Sequence, residues 1–129
     1  MISLIIPCFN EEKNLPKLFD RLDLLLKEYF DESIEIVIVN NGSTDNSANL
    51  IKQHQLYINN KIQLLHIDKN IGYGDGINKG INYSSGKILC WFHADLQFDP
   101  MDAIKIYKNY KSNLNNQQIL IKGKRINRS

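Results

Sequence analysis

Two kinds of hydrophobic patterning take turns along this chain. Ile2 to Ile6 is a short, β-branched apolar run of the kind required by a parallel strand covered on both faces, and Pro7-Cys8-Phe9-Asn10 is expected to break it. From Glu11 to Phe30 the period changes. Leu15, Leu18, Phe19, Leu22, Leu25, Leu26 and Tyr29 recur at helical spacing, which predicts an amphipathic helix. Ile34 to Val39 reads as a second buried strand. Asn40-Asn41-Gly42-Ser43-Thr44-Asp45 is a turn rich in helix-capping residues, and a helix is expected to follow to about His54. Ile62 to Ile67 predicts a third strand. The glycine-rich stretch Asn70 to Gly76 leads into a helix through about Tyr83, and Ser84-Ser85-Gly86 ends it. A fourth strand opens at Lys87 and runs through Phe92. Asp102 to about Ser112 is expected to be helical, and Gln118 to Lys122 to form a last strand.

Strands that alternate with helices through short connections predict an α/β fold, a Rossmann-like, mostly parallel sheet with helices on both faces. Polar or glycine-rich residues follow each of the first four strands. In a parallel sheet those strand ends share one edge, so four separate motifs are expected to converge on one crevice.

Trp91 to Pro100 carries the densest chemistry. If the backbone stays extended past the fourth strand, His93, Asp95 and Gln97 fall on one face, because side chains alternate with period two. An imidazole, a carboxylate and an amide oxygen would then meet at a strand's carboxyl end, a set able to hold a divalent cation. The alternative is an ordinary strand end with a packed His and a solvated Asp.

Bulk properties narrow the choice. At 129 residues, 43% hydrophobic and 23% charged, the chain is expected to form a single globular domain. A net charge of +2 gives no reason to expect a nucleic-acid partner. The basic residues Lys122, Lys124, Arg125 and Arg128 read as a solvated tail or as a phosphate or membrane-surface contact. Cys8 and Cys90 lie in apolar runs with no metal-ligand spacing, so buried free thiols in a reducing compartment are expected. Met1 leads straight into a strand, and neither a secretory signal nor a membrane-spanning run is visible.

Two common nucleotide motifs fail. The first strand–helix turn, Pro7-Cys8-Phe9-Asn10-Glu11, lacks the glycines of a dinucleotide fingerprint, and Gly72-Tyr73-Gly74-Asp75-Gly76 follows the third strand with the wrong spacing. Ser85-Gly86-Lys87-Ile88 lacks the upstream glycine and following hydroxyl of a P-loop. Four segments instead carry a likeness: Ile5 to Glu12; Ile38-Val39-Asn40-Asn41-Gly42-Ser43-Thr44-Asp45; Asn70 to Gly74 with Asn78-Lys79-Gly80; and His93-Ala94-Asp95-Leu96-Gln97 with Asp99-Pro100. In this order and spacing the chain resembles the glycosyltransferase family 2 enzymes of the GT-A type. Within them, Ala-Asp-Leu-Gln is most similar to the polyprenyl-phosphate (dolichyl-phosphate mannose type) sugar transferases.

The resemblance implies an enzyme that moves a hexose from a GDP- or UDP-linked nucleoside-diphosphate sugar to a lipid-phosphate or glycan acceptor, with inversion. It implies a divalent metal, Mn²⁺ or Mg²⁺, at Asp95, Gln97 and His93, with Asp95 also the catalytic position. Pro7, Phe9, Glu11, Asn41, Gly72, Gly74, Ala94, Asp95 and Arg125 are the implied nucleotide-sugar-binding positions. Glu11 would accept from ribose hydroxyls or base N–H groups; its alternative is a first-turn Glu favoured by the helix dipole. For Gly72 and Gly74 the alternative is a tight turn. The implied setting is cytoplasmic, at the membrane face, with a peripheral membrane contact. An exposed strand edge would also invite a second copy of the chain.

Three departures stand out. The family has an Asp pair where this chain has Asn40-Asn41, and its first acidic metal position is His93. Imidazole suits Mn²⁺ better than Mg²⁺, and His93 has a phosphate contact or simple packing as alternatives. Residues 1–129 are expected to form a single nucleotide-sugar-binding domain that stops before the family's acceptor-side half. A polyprenyl phosphate is already anionic and needs no strong base, which favours that acceptor. A non-catalytic module that binds nucleotide sugar or docks to a partner is the competing expectation. A nucleotidyltransferase is a third, but Pro7 to Leu15 lacks its glycine-rich basic signature.

Overall fold

The computed structural model describes residues 1–111. The expected strand Gln118–Lys122, Arg125 and the other basic residues near it lie outside the described residues. The elements run β1 (Ile2–Cys8), α1 (Leu15–Glu28), β2 (Ile34–Asn41), α2 (Ser47–Gln53), α3 (Gln55–Ile58), β3 (Gln63–Ile67), α4 (Tyr73–Tyr83), β4 (Ile88–Trp91) and α5 (Pro100–Tyr110). The described strands form one sheet in the order β3-β2-β1-β4, and every pairing is parallel. After β3 the chain returns across the sheet to place β4 on the free side of β1. The order therefore reverses between β1 and β4, the place where open α/β sheets leave a crevice.

Side-chain alternation builds two unequal cores. Ile2, Leu4, Ile6 and Cys8 of β1 and Ile36 and Ile38 of β2 face α1, α2, α3 and α5 in one large cluster. Ile5, Val37, Val39 and Ile67 point the other way, towards α4. Leu15, Leu18, Phe19, Leu22 and Leu25 form the buried stripe of α1, each contributing roughly 1.5–3 kcal/mol by leaving water. Helix α4 sits close to the sheet because Gly80 has no side chain: a Cβ there would lie 2.6 Å from Ile5 Cγ2. No helix among the described residues is long and apolar enough to cross a membrane.

Several expected boundaries move. Strand β1 continues through Pro7 and Cys8, which pair with Val39 and Asn40 of β2. Phe92 N donates to Ile5 O at 3.2 Å, so Ile5, and Pro7 two residues on, present their backbone to the β4 side. Pairing with β4 ends at Ile5↔Trp91, so the N–H that Pro7 lacks is not needed. Helix α1 starts at Leu15 with Pro16 in its first turn, and Glu11 lies before it, its carbonyl accepting from Asn14 N and Leu15 N. His54 adopts an extended backbone, ends α2 and caps α3 by accepting from Leu56 N at 3.1 Å. Helix α5 starts two residues early because Asp99 caps it, accepting from Met101 N at 3.0 Å. Cys8 is buried as expected, whereas Cys90, on the short strand β4, is only partly so.

At the amino end of the sheet a single carboxylate ties four segments. Glu35 of β2 accepts from Ser3 Oγ (2.7 Å), Ser85 N (2.8 Å) and Gln63 Nε2 (3.1 Å), while Ser3 Oγ accepts from Gly86 N (2.9 Å). Burial pushes the Glu35 carboxyl up, but hydrogen bonds from Ser3, Ser85 and Gln63 outweigh it and hold it below the usual glutamate value. A folded pKa below the unfolded one stabilises the protein above the unfolded value, and that stability is lost as pH falls through the folded value. Glu35→Ala is expected to lower stability by about 1–3 kcal/mol in urea titrations at pH 7. The deficit should shrink as the titration is repeated at lower pH. An equal deficit at pH 7 and pH 3 would show that the charge of Glu35 contributes nothing.

Candidate functional site

At the carboxyl edge the four turn motifs form a rim, each bound to the next. Asn10 adopts a left-handed backbone (φ 53°) at the end of β1. Its Oδ1 accepts from Thr44 N (2.8 Å) and Asp45 N (3.2 Å), and its own N–H donates to Ser43 Oγ (3.0 Å). Glu11 N donates to Ser47 Oγ (3.0 Å), and Glu12 N to Asp45 Oδ2 (3.2 Å). The β1–α1 and β2–α2 turns thus behave as one unit. Burial raises the Asp45 carboxyl, and hydrogen bonds from Ser47 and from Glu12 N together more than reverse this. Below them burial pushes the Cys8 thiol up to about 12, so it stays protonated at neutral pH. Cys90 is pushed up to about 11 by the same cause.

The two asparagines at the end of β2 face opposite sides of the sheet. Asn40 donates through Nδ2 to His66 Nδ1 (3.0 Å) and accepts from Ser43 N through Oδ1 (3.3 Å). This makes Nε2 the protonated nitrogen of His66, and it lies 3.1 Å from Asp68 Oδ1. Asn41, on the α4 side, is 3% exposed and donates through Nδ2 to Gly72 O (3.2 Å). Among the described residues nothing donates to its Oδ1. A buried acceptor in this state calls for a donor beyond the described residues, such as a water or a ligand N–H.

The glycine-rich turn divides into separate tasks. Gly72 sits at φ 128°, a conformation costly for any residue with a Cβ. Gly76 makes room for Asn41, whose Nδ2 would lie 2.8 Å from a Cβ there. At Gly74 φ is ordinary and a Cβ would meet nothing within 4 Å, so turn geometry does not account for it. Helix α4 begins here with no side-chain cap on its first-turn amides. Tyr73, between the glycines, stacks on His93 with ring centroids 4.2 Å apart and planes 16° apart. Burial and then the negative charge of Asp95 push the Tyr73 phenol up.

The expected extended run past β4 is not formed. The strand ends at Trp91, the chain turns at Ala94-Asp95, and Leu96 takes a left-handed backbone (φ 66°). Period-two alternation therefore does not carry His93, Asp95 and Gln97 onto one face. Gln97 N instead folds back to Asp95 Oδ1 at 3.1 Å, a local turn of the kind aspartate favours. Among the described residues no group of three or more His, Cys, Asp or Glu side chains is placed to share a metal ion. The Ala94 methyl packs in the larger core. Arg21 of α1 holds the far end of this loop, with Nη2 2.6 Å and Nε 3.3 Å from the two oxygens of Asp99. Burial raises the Asp99 carboxyl, but the Arg21 and Met101 hydrogen bonds and the Arg21 charge hold it below its usual range.

Of the other expected positions, Pro7 lies within buried β1, Phe9 is 46% exposed at the crevice, and Glu11 is half-buried and accepts from Asn14 Nδ2 (2.7 Å). Glu11 lies outside the first turn of α1, so the dipole alternative does not apply to it. Asn10, Ser43, Ser47, Arg21 and Tyr73 complete the rim, and sequence reasoning passed over their roles. Asn10 carried a signal, an Asn in the turn that follows a strand, since asparagine is enriched among left-handed residues. Arg21 carried none.

The family model for glycosyl transferase family 2 matches residues 3–121. An undecaprenyl-phosphate 4-deoxy-4-formamido-L-arabinose transferase of Proteus mirabilis is 31% identical over 105 residues, 81% of this chain and 32% of that protein. YkcC of Bacillus subtilis, described as an uncharacterized glycosyltransferase, is 30% identical over 112 residues, 84% of this chain and 33% of its own length. The chain thus spans about a third of the length of these curated relatives. Among solved structures, a mannosyltransferase from Pyrobaculum calidifontis in complex with GDP-Man and Mn²⁺ has the same fold. It aligns with a TM-score of 0.62 at 17% identity over 80% of this chain and 30% of that one.

Asn10 gives a direct check on the rim. Asn10→Ala should destabilise by about 1–3 kcal/mol for its lost hydrogen bonds, plus about 1–2 kcal/mol for a side chain at positive φ. Asn10→Gly should lose only the first part. Urea denaturation of both variants would test this, and equal losses would mean that the left-handed backbone at Asn10 stores no strain.

Proposed function

The chain belongs to glycosyl transferase family 2, and from that premise we propose that it forms the donor-binding part of an inverting sugar transferase. Its donor is a GDP- or UDP-linked hexose, and its acceptor a polyprenyl phosphate presented at the cytoplasmic face of a membrane. The undecaprenyl-phosphate transferases among its relatives support that acceptor class, and the GDP-Man and Mn²⁺ in its structural neighbour support the donor and the metal. The observation that carries the reading is the buried Asn41 Oδ1, to which no described residue donates, beside a glycine turn open to a ligand. A base N–H would satisfy it.

Each part of the rim then has a task. Phe9 offers an apolar face to the base, and Glu11 accepts from the ribose. Gly74 leaves room for the sugar diphosphate, and the uncapped start of α4 favours its negative charge. Arg125, outside the described residues, is the proposed cationic partner of the diphosphate. For a divalent cation the residues present fit a shared site rather than a cage. Asp95 offers one carboxylate, with the Gln97 amide near it in sequence, and diphosphate oxygens would supply the rest. When bound, the cation would neutralise charge on the departing nucleoside diphosphate. The acceptor phosphate is already ionised, so no residue of this chain is required to remove a proton from it.

Binding of donor without turnover is the second reading. It is favoured by Asn40 and Asn41, which leave the end of β2 uncharged. Transfer of sugar to a polyprenyl phosphate by the chain would exclude it.

Thermal unfolding with UDP-glucose or GDP-mannose, each with Mn²⁺, Mg²⁺ or chelator, tests the donor site. One sugar nucleotide with metal should stabilise the protein by roughly 1–3 kcal/mol at saturation, and Asp95→Ala should abolish the metal-dependent part. Gly74→Ala should fold at least as well as the parent, since alanine favours a helix start, yet bind donor more weakly. Stabilisation by neither nucleotide under any metal condition would sink the proposal.

A further inference from the structure

In Gly72-Tyr73-Gly74 only the central residue has a side chain with which to grip anything, and the flanking glycines leave the turn little stiffness of its own. The turn is nevertheless held from two sides. On the β2 side, Asn41 Nδ2 donates to Gly72 O (3.2 Å). On the β4 side, the Tyr73 ring lies flat on His93. Strand β1 runs between β2 and β4, so the turn spans the end of β1 on the α4 face, across the crevice where the strand order reverses. Both rings are solvent-accessible, Tyr73 at 41%, so neither is stacked merely because the core encloses it.

We propose that Tyr73 and His93 form an aromatic strap that fixes the glycine turn beside Asp95, and that His93 serves the site through its ring face, as a positioning residue, rather than as a ligand to a cation. Several observations agree. The chain leaves the extended conformation at the Ala94-Asp95 turn, so strand alternation does not set how His93 and Asp95 are aligned. Asp95 lies two residues beyond His93 at the turn that follows β4, so strap and carboxylate share one loop. Substituting an imidazole for a carboxylate at this position removes a hard oxygen ligand and supplies a flat ring able to stack. The strap itself does not depend on the proposed function, whereas its effect on donor binding does.

Four variants separate the alternatives: His93→Phe, which keeps a ring and deletes both nitrogens, His93→Ala, Tyr73→Ala and the double alanine variant. Amide hydrogen exchange of residues 72–76 without ligand is the first readout. Protection should fall roughly two- to tenfold in each single alanine variant, the worth of one aromatic pair, and stay near the parent value in His93→Phe. The double variant should be no worse than either single one, because both remove the same contact. Mn²⁺-dependent donor affinity is the second readout and should follow the same order. Line broadening of the His93 imidazole resonances by Mn²⁺ with donor is the third, and they should broaden no more than those of Tyr73. Unchanged exchange in both alanine variants would overturn the strap. A His93→Phe variant as defective in metal-dependent donor binding as His93→Ala, with preferential broadening of His93, would make His93 a ligand and overturn the second half. If the parent binds no donor, the functional reading fails, while exchange still decides the strap and Mn²⁺ broadening without donor still decides ligation.

Discussion

Parallel pairing of β1 with β2 on one side and β4 on the other obliges the described strands to end at one edge of the sheet, and every turn motif follows from that obligation. Pro7 adds the second constraint. It lies on the β4-facing side of β1, just beyond the last β1–β4 pair, and has no N–H with which to continue the ladder. The two strands part where the sequence removes the donor. The crevice at the strand-order reversal is therefore set by backbone chemistry before any ligand-binding side chain is considered. Hydrogen bonds from Asn10, Ser43 and Asn41, the Tyr73–His93 stack and the Arg21–Asp99 pair then fix the rim around it.

The fold was legible because strands covered on both faces have to be apolar throughout, and the apolar runs of this chain locate all four described strands to within two residues. Where boundaries moved, local chemistry overrode periodicity. Pro7 was read as a breaker because proline usually leaves a sheet, yet its position beside a departing neighbour costs nothing. Helix α4 begins inside the glycine-rich segment because Gly72 alone turns the chain, leaving Gly74 and Gly76 free to be helical.

The site was legible as a set of motifs and less so as a geometry. Convergence at one edge followed from the strand order. The alternation assumed for His93, Asp95 and Gln97 failed because Asp95 binds its own backbone two residues on, a competition that aspartate often wins over extended structure. Arg21 was invisible because its partner Asp99 is 78 residues away and ion pairs leave no periodic trace. Asn40 and Asn41 were read together as a substituted pair. In the fold they part company, one bridging to His66 and the other facing α4, because neighbours on a strand point to opposite sides.

The unequal faces of the sheet have a dynamic consequence. Four helices share the larger core, so detaching any of them exposes side chains that the others also cover. Among the described residues, helix α4 is the one helix on the other face, over Ile5, Val37, Val39 and Ile67, seated largely through the smallness of Gly76 and Gly80. It therefore forms the natural unit of sub-global opening, able to lift while the remaining layers stay assembled. The glycine turn, uncapped amides and Tyr73 all ride on that helix, so one side of the site rests on the smaller core and the other on the larger.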